Sequence, residues 1–120
     1  MKIATNLEQG RKLTEILPIE SADMYWWCAS SNSGKRHYLE VMEGCDFVEE
    51  YWNVRAWSLA ALLDIIPFSR LEKLLDSRHM IKWDCTSYPE NHSPVIVTDY
   101  DDPIDACVDM IVTLHTLKLL

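Results

Sequence analysis

The residues with the most chemistry to offer are four cysteines and four histidines. Cys28, Cys45, Cys85 and Cys107 are widely separated, and the nearest mixed pair is Cys85 and His92. Structural zinc sites draw their ligands in close Cys-x-x-Cys or His pairs. The spacing therefore predicts no metal site, with Cys107 in the core and His115 packed at a helix edge. Nucleophilic catalysis needs an activated Ser or Cys beside a base and a charge-stabilising group. No Gly-x-Ser-x-Gly elbow is present, and Ser58 reads as the polar edge of a helical first turn. Paired carboxylates occur twice, Asp101-Asp102 as a helix cap and Glu49-Glu50 as a solvated pair. Three scattered glycines cannot build a phosphate cradle. No cofactor is expected.

The elements that would have to position such groups follow from the pattern. Thr5-Asn6-Leu7-Glu8 fits a capping box and starts a first helix that Pro18 ends. Gly10 inside it is tolerable only if another backbone packs close by. Asp23 to Cys28 reads as a strand, 30–35 as a turn, and His37 to Met42 as the returning strand of a hairpin. Glu43 to Asn53 has no clear period and reads as irregular. Ala56 to Ile66 is the least polar run of the chain, ended by Pro67, and predicts a central core helix from about Arg55 to Ile66. Ser69-Arg70-Leu71-Glu72 is a second capping-box match, giving a short helix over 69–76. His79 to Cys85 alternates, with Ile81, Trp83 and Cys85 on one side, and reads as a half-buried strand. Val95 to Thr98 is β-branched throughout and reads as the partner strand of a second hairpin. Asp102 as cap, Pro103 at the first position and Asp105 in the first turn start the last helix.

The expected fold is α+β: helix, hairpin, helix, hairpin, helix, with one four-stranded, mainly antiparallel sheet packed with three helices. The 120 residues form one domain. Both helices that precede hairpins end alike, Ile16-Leu17-Pro18 and Ile65-Ile66-Pro67, which admits a faint helix-plus-hairpin duplication or simply a shared helix stop. A net charge of −8 and a pI near 4.8 argue against phosphate backbones and anionic membranes. No apolar run reaches the about 20 residues of a membrane span. The polar start Met1-Lys2-Ile3-Ala4-Thr5-Asn6 is unlike a signal peptide, so a cytoplasmic location with reduced thiols is expected.

Four segments carry a resemblance: Ala4 to Gln9, Ala22 to Tyr25, Ala56 to Leu63, and Asp102 to Met110. In order along the chain they resemble a family of small uncharacterised proteins of Bacteroides-type gut bacteria, associated with prophages or other mobile elements. Arg55 stands where that pattern carries proline. The resemblance implies a source and an organisation, and brings no activity with it.

The reading is a non-enzymatic cytoplasmic interaction or accessory protein. Trp and Tyr are enriched at interfaces, which makes Tyr51-Trp52 beside Glu49-Glu50 the candidate partner-binding patch. An acidic inhibitor or nucleic-acid mimic that binds a basic protein is the alternative. It rests on Glu49, Glu50, Asp99, Asp101, Asp102, Asp105 and Asp109, and requires them to form one continuous face. An enzyme of unrecognised type would require a pocket of convergent polar groups.

Overall fold

The computed structural model describes residues 2–31, 34–42 and 53–120. The chain runs α1 (Leu7–Thr14), a 3-10 turn (Ile19–Ser21), β1 (Met24–Ser31), β2 (Gly34–Val41), β3 (Val54–Ala56), α2 (Leu59–Ile65), β4 (Ser69–Leu75), β5 (Ile81–Ser87), β6 (Val95–Tyr100) and α3 (Pro103–Thr116). Among the described residues the strands form two separate antiparallel sheets, in the orders β2-β1-β3 and β4-β5-β6.

This corrects the expected single four-stranded sheet. Both hairpins are present, β1–β2 and β5–β6, but each gains a third strand of its own. Val54–Ala56 is not the start of a helix: it pairs with Met24, Tyr25 and Trp26 of β1. Ser69–Leu75 is not a short helix either. Its whole length pairs with β5, Ser69 opposite Ser87 through Leu75 opposite Ile81. Seven residues in register with a neighbour outweigh a local capping-box match worth about 1 kcal/mol. The two sheets also differ in which strand is central, so the similar helix ends do not extend to a repeated unit.

The helix starts are shifted as well. Asn6, not Thr5, caps α1: its side chain accepts from Gln9 N–H, and the Gln9 side chain accepts from Asn6 N–H. Thr5 is instead fully buried as a clamp. Its N–H donates to the Trp57 carbonyl at 3.0 Å, and its hydroxyl accepts from Trp57 N–H at 3.1 Å. Its own carbonyl accepts the Trp26 indole N–H at 2.8 Å. Ser58 caps α2 by accepting from Ala61 N–H, while Asp23 receives both the N–H and the hydroxyl of Ser58. That bond ties the start of α2 to the residue before β1.

The core centres on α3 rather than α2. In α2 only Leu62 is buried, with Leu63 half-buried and Ala60 exposed. In α3 eight residues are buried, among them Ile104, Cys107, Met110, Ile111 and Leu114. α3 lies on β5 and β6 and touches α2 and α1, while α1 lies on β3. One apolar cluster, from Leu13 and Trp57 through Leu62 to Cys85 and Leu114, joins these layers. No helix among the described residues is long and apolar enough to cross a membrane.

At the far end of β6, the Tyr100 hydroxyl donates to Asp109 of α3. That bond, with some burial, pushes the Tyr100 phenol up to about 12. A raised folded-state value means the native protein holds this proton more tightly than the unfolded chain. The stabilisation is full below pH 10 and is lost as pH rises through about 12. Spectrophotometric titration of the folded protein should show a late phenolate step that Tyr100→Phe removes. An unchanged titration curve in that variant would refute the assignment.

Candidate interaction surface

Sheet residues opposite one another share a face. On one face of the first sheet stand Met24, Trp26 and Cys28 of β1, His37, Leu39 and Val41 of β2, and Val54 and Ala56 of β3. α1 covers this face at β3, where Gly10 lies against Val54 and the Arg55 carbonyl. Beyond α1 the residues Lys2, Ile3, Ala4 and Asn6 cross the same face and leave a cleft of about 360 Å³ over Trp26 and Leu39. Ile3, 74% exposed, forms its rim.

Several polar groups around the cleft are already engaged. Lys2 Nζ bonds Asp105 at 2.5 Å, the Lys2 N–H donates to Asp102, and Gln9 Nε2 donates to the same Asp105 oxygen at 2.7 Å. The Asn6 amide oxygen caps α1, and the Trp26 indole N–H is held by Thr5. What the cleft presents is apolar surface.

The opposite face of the sheet carries Tyr25 and Trp27 of β1 beside Glu40 and Tyr38 of β2, with Arg36 next in line. Trp27 and Tyr38 stack at 4.7 Å between centroids, and the Tyr25 hydroxyl donates to Glu40 at 3.2 Å. Arg36, Tyr38 and Glu40 are all exposed.

A second, shallower cleft of about 230 Å³ lies at the open end of the other sheet, among Leu74, Leu75, Asp76, Lys82, Asp84, Thr98 and Asp99. Asp76, Lys82 and Asp84 have local partners. Asp76 accepts the backbone N–H groups of Met80 and Arg78, which lower its pKa. Lys82 pairs with Asp101 at 2.5 Å, which raises the lysine, and Asp84 accepts the Asp99 N–H.

The expected patch Glu49, Glu50, Tyr51 and Trp52 lies outside the described residues, as does the rest of 43–52. Of the other carboxylates proposed for an acidic face, Asp101 bonds Lys82, Asp102 caps α3, Asp105 bonds Lys2 and Gln9, and Asp109 bonds Tyr100. Each of these four thus has a partner within the fold, while Asp99 and Asp101 remain exposed. Cys85 and Cys107 are fully buried core residues. The hydrogen bond with Cys85, and burial, push the Cys107 thiol up, so it is no thiolate nucleophile at neutral pH. Among the described residues no three His, Cys, Asp or Glu side chains converge as a metal site would need.

The cleft was hidden from sequence reasoning because its walls come from residues 2–6, 26 and 39. The one signal was Trp26-Trp27, adjacent aromatics that a strand must send to opposite faces. No protein-family model, curated protein or solved structure matches this chain.

Proposed function

We propose that this chain is a non-enzymatic interaction or accessory protein that engages a protein partner through the cleft over Trp26 and Leu39. One observation carries the reading. The cleft is apolar, and the Lys2 ammonium, the Asn6 amide oxygen and the Trp26 indole N–H at its walls are bonded within the fold. Such a surface suits an apolar side chain of a partner and offers nothing to activate a substrate. Its size falls within the usual range for a ligand pocket, about 300–1,000 Å³. A cytoplasmic location belongs to the same proposal, supported by the acidic composition and by the thiols of Cys85 and Cys107. The mobile-element association rests on the family resemblance alone. The acidic-inhibitor alternative is weakened by the internal bonds of Asp101, Asp102, Asp105 and Asp109.

Ile3→Asp tests the proposal, since Ile3 contributes to the cleft while remaining mostly exposed. Affinity capture from a bacterial host lysate should recover a protein with the wild type that is lost with Ile3→Asp, at unchanged melting temperature. Recovery of the same proteins by both forms, or of none by either, would overturn it.

A further inference from the structure

We infer that the outer edge of β2 pairs with the β2 edge of a second copy of this chain, joining the two first sheets into one. The inference concerns the strand edge and not the cleft, so it stands or falls separately from the function proposed above.

β2 is the outermost strand of its sheet, and among the described residues no strand pairs with its free side. An edge of this kind presents a row of unpaired backbone groups. The phase of the ladder shows which residues those are. Met42 N–H donates to the Asp23 carbonyl at 2.9 Å, in the same register that sets Glu40 opposite Tyr25 and Tyr38 opposite Trp27. In an antiparallel pair, hydrogen-bonded positions alternate. The backbone groups of Arg36, Tyr38 and Glu40 therefore turn toward β1, and those of Lys35, His37, Leu39 and Val41 turn outward.

The side chains then select a partner. A two-fold pairing about Tyr38 places Arg36 opposite the partner's Glu40 and Glu40 opposite the partner's Arg36. Tyr38 faces its own copy between them. These three pairs fall at non-hydrogen-bonded positions, where facing side chains approach most closely. The outward-turned residues meet as His37 with the partner's Leu39 and Lys35 with the partner's Val41, and exchange the backbone hydrogen bonds. On the shared face the Trp27–Tyr38 stack continues through the two-fold to its symmetry mate.

Neighbouring two-fold registers lack this match. Centring on His37 sets Arg36 against Tyr38, centring on Leu39 sets Tyr38 against Glu40, and centring on Arg36 sets two arginines face to face. Charges on an edge strand ordinarily discourage pairing. Here their order makes the strand complementary to itself in one register, as an isologous contact requires. Within one chain Arg36 faces Ala29 and Glu40 faces Tyr25, so the two charges have no ion pair to make with each other.

Sedimentation velocity over a micromolar concentration series tests the pairing. Wild type should pass from monomer to dimer as concentration rises. Arg36→Glu sets like charges opposite each other at both ends of the pair and should raise the dimer dissociation constant at least about tenfold. The double variant Arg36→Glu with Glu40→Arg should restore dimerisation, which no role within one chain would predict. Circular dichroism on each variant checks that the fold is kept. A wild type monomeric throughout, a dimer indifferent to Arg36→Glu, or a double variant without rescue would each overturn the inference. So would open-ended assembly in place of a closed dimer.

Discussion

Replacing Trp57 with alanine should cost about 3–5 kcal/mol of stability in a denaturant melt, the range for a large aromatic removed from a packed core. Trp57 is fully buried and belongs to the apolar cluster shared by α1, α2 and α3. It is also bonded at three points. Its indole N–H donates to the Ser21 hydroxyl at 3.0 Å, its backbone N–H donates to the Thr5 hydroxyl, and its carbonyl accepts the Thr5 N–H. The backbone bonds survive truncation, but the ring volume and the bond to Ser21 do not. Natural domains are stable by only about 5–15 kcal/mol, so this one change removes a large share. Trp57→Phe keeps much of the apolar volume, loses the bond to Ser21 and should fall between wild type and Trp57→Ala. A loss below about 1 kcal/mol in Trp57→Ala would mean that the core is centred elsewhere.

The second large effect runs against helix propensity. In an exposed helix interior, glycine to alanine stabilises by up to about 1 kcal/mol. Gly10→Ala should instead destabilise, by about 1–3 kcal/mol, the usual cost of overpacking. Gly10 is buried in the middle of α1. A Cβ there would stand inside contact distance of the Arg55 carbonyl oxygen and 3.0 Å from Val54 Cγ1. The nearest obstacle is backbone of β3, itself paired with β1, so α1 must move as a unit. A stabilised Gly10→Ala variant would show that α1 does not sit this closely on β3.

Why α3 was legible and β4 was not comes down to the range of the signals. Asp102, Pro103 and Asp105 mark a helix start through interactions within one turn, and the start lies where they put it. β5 was legible because Trp83 and Cys85 alternate with Lys82 and Asp84, although Ile81, expected on the packed side with them, is 47% exposed and Lys82 and Asp84 are half-buried. The packing role expected of Gly10 is present as well. β3 takes its conformation from β1, far away in the chain, and β4 takes its own from pairing with β5 across a short turn. Val54–Ala56 merges into the apolar run that follows it, and Ser69 with Glu72 imitates a cap. The cleft joins the chain's opening segment to the first hairpin, and no local pattern records that meeting. The bonds that engage several acidic residues were hidden for a related reason. Sequence shows a charge but not the Lys2 or Tyr100 that engages it.

The bonds from Lys2 and Gln9 to Asp105 have a consequence for the protein as it is made. Lys2 and Asp105 are 103 positions apart. At a translation rate of about 5–20 residues per second, roughly 5–20 s separate their synthesis. Over that interval the nascent α1 segment has no α3 to close against, and Leu13 and Trp57 lack the helix that completes their burial. The first sheet can pair early and α1 can cover it at β3, but the sides of α1 and α2 that meet α3 stay open until the last helix emerges.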